Sequence, residues 1–167
     1  MGDWNLFFAT AAGSAATLLG LIFVATQLHV NVFADPTNRW AALAQSTLSI
    51  LSVVFGLSLF DLVPSLTLRL RGELIFLVIA VALWRVFKTW WPVFRVTEQG
   101  GWQRIGQSFW LLIVPILAYL YLLVGAIQLG LGDATALVNI AGAFMSLFAI
   151  ALRNARRLVV SVERKPT

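Results

Sequence analysis

The sequence predicts an all-α fold: a polytopic transmembrane helical bundle of about five spans, with the N-terminus outside and the C-terminus inside. Of its 167 residues, 60% are hydrophobic and 11% are charged, whereas an ordinary soluble domain carries about 25% charged residues. The mean hydropathy is +0.88. Apolar stretches long enough to cross a bilayer recur along the chain, and we expect them to form one transmembrane domain over residues 1–167.

The first predicted span covers residues 6–30 and contains no ionisable side chain other than that of His29. At about 1.5 Å per residue it makes a helix of roughly 37 Å, which crosses a bilayer with some tilt. Its small and hydroxyl residues share one face of a helical wheel, which predicts close packing on another helix. The alternative is that Gly and Ala are simply common in membrane helices. The residues of this face are Thr10, Gly13, Ser14, Thr17 and Gly20.

Four more spans are predicted, over residues 40–62, 72–91, 109–131 and 134–152. The second and fifth spans carry stripes of small and polar residues, and we expect the first, second, fourth and fifth helices to bury such stripes together. The third span is almost wholly large and apolar, which predicts a peripheral helix facing lipid. The striped residues are Gln45, Ser49, Ser52 and Gly56 in the second span, and Asn139, Gly142 and Ser146 in the fifth.

The longest break, residues 90–107, predicts a loop lying in the membrane interface. Tryptophan prefers that zone because its ring is apolar and its N–H is polar, and long basic side chains reach the headgroups from there. We interpret these aromatic and basic residues as membrane anchors rather than as an RNA-stacking patch, and we expect no nucleic-acid partner. The predicted interface residues are Trp4, Trp40, Trp90, Trp91, Trp102, Arg85, Lys88, Arg95 and Arg104.

The distribution of basic residues predicts the orientation, because cytoplasmic regions carry an excess of Lys and Arg. With the N-terminus outside, the outer regions contain only Arg69 and Arg71. The inner regions then contain Arg39, Arg85, Lys88, Arg95, Arg104, Arg153, Arg156, Arg157, Arg164 and Lys165. We therefore expect a multi-pass protein of the bacterial plasma (inner) membrane, with residues 153–167 as a basic cytoplasmic tail.

The sequence contains little that predicts chemistry. It has no cysteine and a single histidine, and it lacks the HExxH, GxSxG, GxGxxG and Walker motifs. We expect His29 and Asp61 to lie near opposite membrane surfaces, too far apart for proton transfer. The sequence therefore predicts no enzyme activity, no metal site and no cofactor. Gln27 and His29 admit two interpretations: a pH-sensing or pathway role, since the usual histidine pKa is about 6.5, or interfacial residues without a function.

The opening of the chain, Asp3–Phe8 followed by Ala11–Ala25, resembles the start of small, uncharacterised bacterial integral membrane proteins. Some members of that family are labelled "modulator of FtsH protease". The resemblance covers the first segment, about a sixth of the chain. It implies a multi-spanning bundle and suggests modulation of a membrane protease or a role in assembly, and it supplies no catalytic residues.

Two function hypotheses remain open at this point. In the first, the protein acts through helix–helix or protein–protein interaction in the membrane. In the second, it is a homo-oligomeric channel or carrier, with the Gln45, Ser49, Ser52 stripe or the Asn139, Ser146 stripe lining an uncharged pathway. The expected partners are the lipid bilayer and either further copies of the chain or another membrane protein.

Overall fold

The computed structural model describes residues 2–28, 39–63, 66–97, 102–133 and 135–163, and within these ranges helices are joined by short turns and no strand occurs. Side chains are described for these residues apart from 2–3, 39, 90, 92–112 and 159–163. The predicted all-α fold is confirmed. Its helices are α1 (Gly2–Leu28), α2 (Arg39–Asp61), α3 (Leu68–Thr97), α4 (Trp102–Gly130) and α5 (Ala136–Glu163).

Four of the described helices contain stretches long and apolar enough to cross a membrane. A helix suits that environment because its backbone N–H and C=O groups pair within the same segment, where no water can satisfy them. The chain is therefore a membrane protein by length and composition. The four stretches are Trp4–Leu28, Trp40–Asp61, Ile113–Gly130 and Ala136–Leu158. A full span by α3 remains a prediction.

Helices α2, α3, α4 and α5 form a closed ring in which each helix packs on the next and α5 returns to α2. Neighbours in the ring are antiparallel. Gly72 at the start of α3 lies against Gly130 at the end of α4, and Leu43 near the start of α2 packs with Leu158 near the end of α5. Helix α1 lies outside the ring on α2 and touches α5 only slightly.

Helix α2 is the central element, since it contacts α1, α3 and α5. Its side chains Ile50, Leu51 and Val54 are completely buried. Helix α5 contributes Phe144, whose ring meets that of Phe8 from α1 edge-on at 5.9 Å. Burial from lipid brings little hydrophobic gain, so close dispersion contacts of this kind hold the bundle together.

The position predicted for the third helix is wrong. Helix α3 is a full member of the ring, and α1 is the peripheral helix. The buried residues of α3 are Ile75, Ile79, Ala82 and Val86, which lie on one helical face. Large apolar side chains pack as well against a neighbouring helix as against acyl chains, so the absence of a small or polar stripe does not exclude a helix from the interior.

The interfacial loop predicted over residues 90–107 is also wrong. Helix α3 continues to Thr97 and α4 begins at Trp102, so only residues 98–101 separate them, and these lie outside the described residues. The end of an apolar stretch marks where a span leaves the hydrocarbon, not where the helix stops. Tryptophan and arginine are compatible with a helical backbone, which continues into the interface.

The turn between α4 and α5 shows why these two helices are antiparallel neighbours. Gly132 has φ +89°, and the N–H of Asp133 donates to Gln128 O at 3.1 Å, which closes the end of α4 as a Schellman motif. The Asp133 carboxylate then accepts hydrogen bonds from the hydroxyl and backbone N–H of Thr135. These bonds hold the pKa of Asp133 below its usual value and cap the first turn of α5.

Candidate functional site

The small and hydroxyl face of α1 points away from the rest of the chain. Thr10, Gly13, Ser14, Thr17 and Gly20, which we call the small face of α1, are all exposed. The prediction that they pack inside the bundle is wrong for contacts within this chain. The opposite face meets α2 instead, because it offers a run of alanines between larger side chains. Its buried residues are Phe8, Ala11, Ala12, Ala15 and Ile22.

The small face of α1 is shaped like a shallow notch. No atom lies within 4 Å of the Cβ position of Gly13 or of Gly20. The Thr17 hydroxyl donates to the carbonyl of Gly13 at 2.9 Å, and Thr10 bonds its own helix in the same way at 2.8 Å. These hydroxyl groups therefore need no water. Exposed Leu6 and Leu21 stand at the two ends of the notch.

The stripe predicted on α2 also lies outside the buried interior. Gln45 and Ser52 are exposed, and Ser49 and Gly56 are half-buried. The Ser52 hydroxyl donates to Leu48 O of its own helix at 2.8 Å. The prediction of a buried stripe is wrong here because α2 turns its larger apolar residues to all three of its neighbours. The exposed stripe remains available to contacts outside the chain.

The stripe on α5 lies partly at the contact with α4. Asn139 donates through Nδ2 to Gln128 Oε1 at 2.7 Å, and Tyr121 Oη lies 3.4 Å from Asn139 Oδ1. A Cβ on Gly142 would lie 3.2 Å from Tyr121 Oη, so this glycine gives the tyrosine room. Ser146 is exposed and donates to Gly142 O of its own helix, so the predicted packing role is wrong for Ser146.

Sequence reasoning missed an ion pair where α2 ends and α3 begins. Arg71 Nη1 lies 3.8 Å from Asp61 Oδ1, with the two side chains 17% and 2% exposed. Arg71 Nη2 also donates to Val63 O at 3.1 Å. Removing either charge would leave the other buried without its partner, which is strongly destabilising. The available signal was the pair of opposite charges on either side of a short link between two spans.

Several hydroxyl groups are buried in the ring, and the sequence analysis did not single them out. Ser46, Ser58 and Tyr119 are buried, and within the described structure their hydroxyl oxygens have no hydrogen-bond partner. Fully buried Ile50, Val54 and Leu57 occupy α2 between its two buried serines, Ser46 and Ser58. The polar groups are therefore separated by apolar packing and do not form a continuous polar path along α2.

The predicted interface residues fall into two groups where they can be described. Trp4 and Trp40 are half-buried and pack on apolar neighbours, so packing within the chain holds them. Trp91 is exposed, with its ring 5.1 Å from that of Phe87, and Arg85 and Lys88 are exposed too. The side chains of Trp90, Trp102, Arg95 and Arg104 lie outside those that the structure describes.

The described part of the chain contains no group of three or more His, Cys, Asp or Glu side chains that could hold a metal ion. Gln27 is exposed near the end of α1, and His29 lies outside the described residues. Comparison with family models, with curated proteins and with solved structures finds no match. The function must therefore be argued from the exposed faces and the buried contacts of the chain itself.

Proposed function

We propose that this protein acts through helix–helix contacts inside the membrane, with the small face of α1 as its contact surface. The observation that carries the proposal is the exposure of all five residues of that face. Helix α1 makes nearly all of its contacts within the chain with α2, through the opposite side. One side of α1 therefore attaches the helix to the bundle, and the other is available to a partner helix.

The chemistry of this face suits a transmembrane partner. Membrane helices associate through close backbone approach, for which small residues leave space. Gly13 and Gly20 have open space above them, and the hydroxyl groups of Thr10 and Thr17 already bond within the helix, so covering them leaves no polar group unsatisfied. The partner is a transmembrane helix of another protein or of a second copy. The resemblance of the first segment to proteins labelled modulator of FtsH protease favours a membrane protease or its assembly.

The proposed location is the bacterial plasma membrane, with the N-terminus outside and the tail, residues 153–167, in the cytoplasm. The excess of basic residues on the regions assigned to the inside supports this orientation. The proposal is one of binding, not catalysis, because the described exposed faces offer packing surfaces, and the described side chains form no constellation of acid, base and nucleophile.

The test is Gly13→Leu, with Gly56→Leu as the matched control, because the Cβ position of Gly56 also has nothing within 4 Å but belongs to α2. Since nothing lies within 4 Å of the Gly13 Cβ position, the leucine leaves the bundle intact and fills the notch. We expect Gly13→Leu to weaken association about tenfold and Gly56→Leu to leave it unchanged. Self-association is measured by cross-linking in native membranes, and binding of other proteins by quantitative co-purification. Equal association of all three chains would overturn the proposal.

A homo-oligomeric channel or carrier is the second candidate, and the exposure of Gln45 favours it. An amide facing lipid is costly, and contact between copies would cover it or place it in a wet pathway. The discriminating variant is Ser52→Cys, since Ser52 is exposed on the same stripe. A channel predicts inter-subunit cross-links at position 52, labelling by a water-soluble thiol reagent and ion flux in liposomes. A lipid-facing stripe predicts none of these results.

A further inference from the structure

Besides Arg157, four exposed basic side chains lie towards one end of the bundle. Arg85 and Lys88 project from α3, and Arg153 and Arg156 project from α5. The acidic side chains that the structure describes lie at the other end, where α2, α3 and α4 begin or end; they are Asp61, Glu73 and Asp133. The two described ion pairs, Arg69–Glu73 and Arg71–Asp61, also belong to that end. The four bases therefore have no acidic neighbour among the described side chains.

The basic residues of α3 and α5 lie at the same position along the bundle axis. Gly72 of α3 packs on Ala126 and Gly130, and Asn139 of α5 bonds to Gln128 in the same part of α4. From this end of α4, both α3 and α5 run antiparallel to α4. Lys88 follows Gly72 along α3 by about 24 Å, and Arg153 follows Asn139 along α5 by about 21 Å, at 1.5 Å per residue. The charges thus form a band across the bundle axis.

On both helices, the basic residues lie at the end of a row of exposed apolar side chains. On α3 the row consists of Leu77, Val81 and Trp84, and on α5 it consists of Val138, Met145 and Leu152. Such rows face acyl chains in a membrane protein, so a base at the end of a row lies where the headgroups begin. Trp84, 70% exposed, is one turn from Lys88, which is the usual place for an interfacial tryptophan.

We propose that Arg85, Lys88, Arg153 and Arg156 form a basic rim that binds the headgroups of anionic phospholipids. Exposed positive charge that has no acidic neighbour among the described side chains, and that lies beside exposed apolar rows, matches a ligand that joins a negative headgroup to acyl chains. Helices α3 and α5 are not neighbours in the ring, so the rim faces lipid on two sides of the bundle. That arrangement suits several separate lipid molecules. The inference is independent of the proposed function, which depends on α1.

The test measures binding of phosphatidylglycerol and of phosphatidylcholine with identical acyl chains to the purified full chain in detergent, by native mass spectrometry. We expect the wild type to prefer phosphatidylglycerol. Lys88→Gln and Arg156→Gln should each weaken that preference about fivefold, since one basic residue near a lipid surface contributes about 1 kcal/mol. Raising the salt concentration should weaken the wild-type preference as well, because the interaction is between exposed charges.

The matched control is Arg69→Gln, which removes the same charge at the opposite end of the bundle. Arg69 is 82% exposed and already pairs with Glu73 at 3.1 Å, so its loss should not change the lipid preference. Equal binding of the two lipids by the wild type would overturn the proposal, and so would an equal effect of Arg69→Gln and Lys88→Gln. Gly13→Leu should leave lipid binding unchanged, which separates this result from the test of the α1 contact.

Discussion

At the scale of single residues, Gly72 has the tightest surroundings of the described glycines. A Cβ placed on Gly72 would lie 2.8 Å from Ala126 O and 2.8 Å from Gly130 N. The atoms in the way belong to the backbone of α4 and cannot rotate aside. Helices α3 and α4 can therefore approach this closely only because residue 72 has no side chain.

We expect Gly72→Ala to lower the free energy of unfolding by about 1–3 kcal/mol, because overpacking forces the two helices apart. Gly13→Ala is the matched control. It adds the same methyl group where nothing lies within 4 Å, so stability should stay the same or rise slightly, as alanine favours a helix. The measurement is unfolding in mixed micelles of increasing SDS content. Equal midpoints for the two variants would contradict the packing at Gly72.

The contact of Gly72 with α4 could not be predicted from the sequence, because a residue's type does not specify which backbone will lie opposite it. Gly13 and Gly72 are the same residue type, yet one faces open space and the other touches α4. The ion pair of Asp61 and Arg71 depends in the same way on how α2 and α3 meet. Composition and spacing indicate that close packing or pairing is feasible. The three-dimensional arrangement decides where it occurs.

At the scale of whole helices, the sequence predicted five spans, and the described residues form five helices. The positions predicted for two of these helices were wrong. Runs of apolar residues specify a membrane helix because the bilayer imposes a length and internal backbone pairing. They do not specify its neighbours, since lipid and protein are equally apolar. Helix α3 therefore occupies the ring without a small stripe, and α1, which has such a stripe, packs through its alanines.

Polar contacts between helices are a better guide to pairing, as α4 and α5 show. We expect Asn139→Ala to destabilise the protein by about 1 kcal/mol, because Gln128 loses the partner that it holds at 2.7 Å. The double variant with Gln128→Ala should cost less than the two single costs added together. Ser146→Ala is the control, because its hydroxyl bonds within α5 and its loss should have almost no effect. Strict additivity, measured by SDS unfolding, would show that the pair is not coupled.

At the scale of the whole molecule, the ring predicts which connections share a side of the membrane. Thr67 precedes α3 and Leu131 follows α4, and the contact of Gly72 with Gly130 brings these two points together. They must lie on the same side if α3 spans the bilayer together with α4. The excess of basic residues at the other end predicts that this shared side faces outwards.

Single introduced cysteines test whether Thr67 and Leu131 share a side of the membrane and whether that side is the outside. The chain has no cysteine of its own that would interfere. We expect Thr67→Cys and Leu131→Cys to react with a membrane-impermeant maleimide in intact cells, because both positions are exposed and would face outwards. Thr167→Cys, in the predicted cytoplasmic tail, should react only after permeabilisation. The reverse labelling pattern would show that the orientation is opposite to the predicted one, and it would not contradict the ring. Labelling of positions 67 and 131 from opposite sides would contradict both a span by α3 and the contact of Gly72 with Gly130, because two points joined through that contact cannot lie on different surfaces of one bilayer.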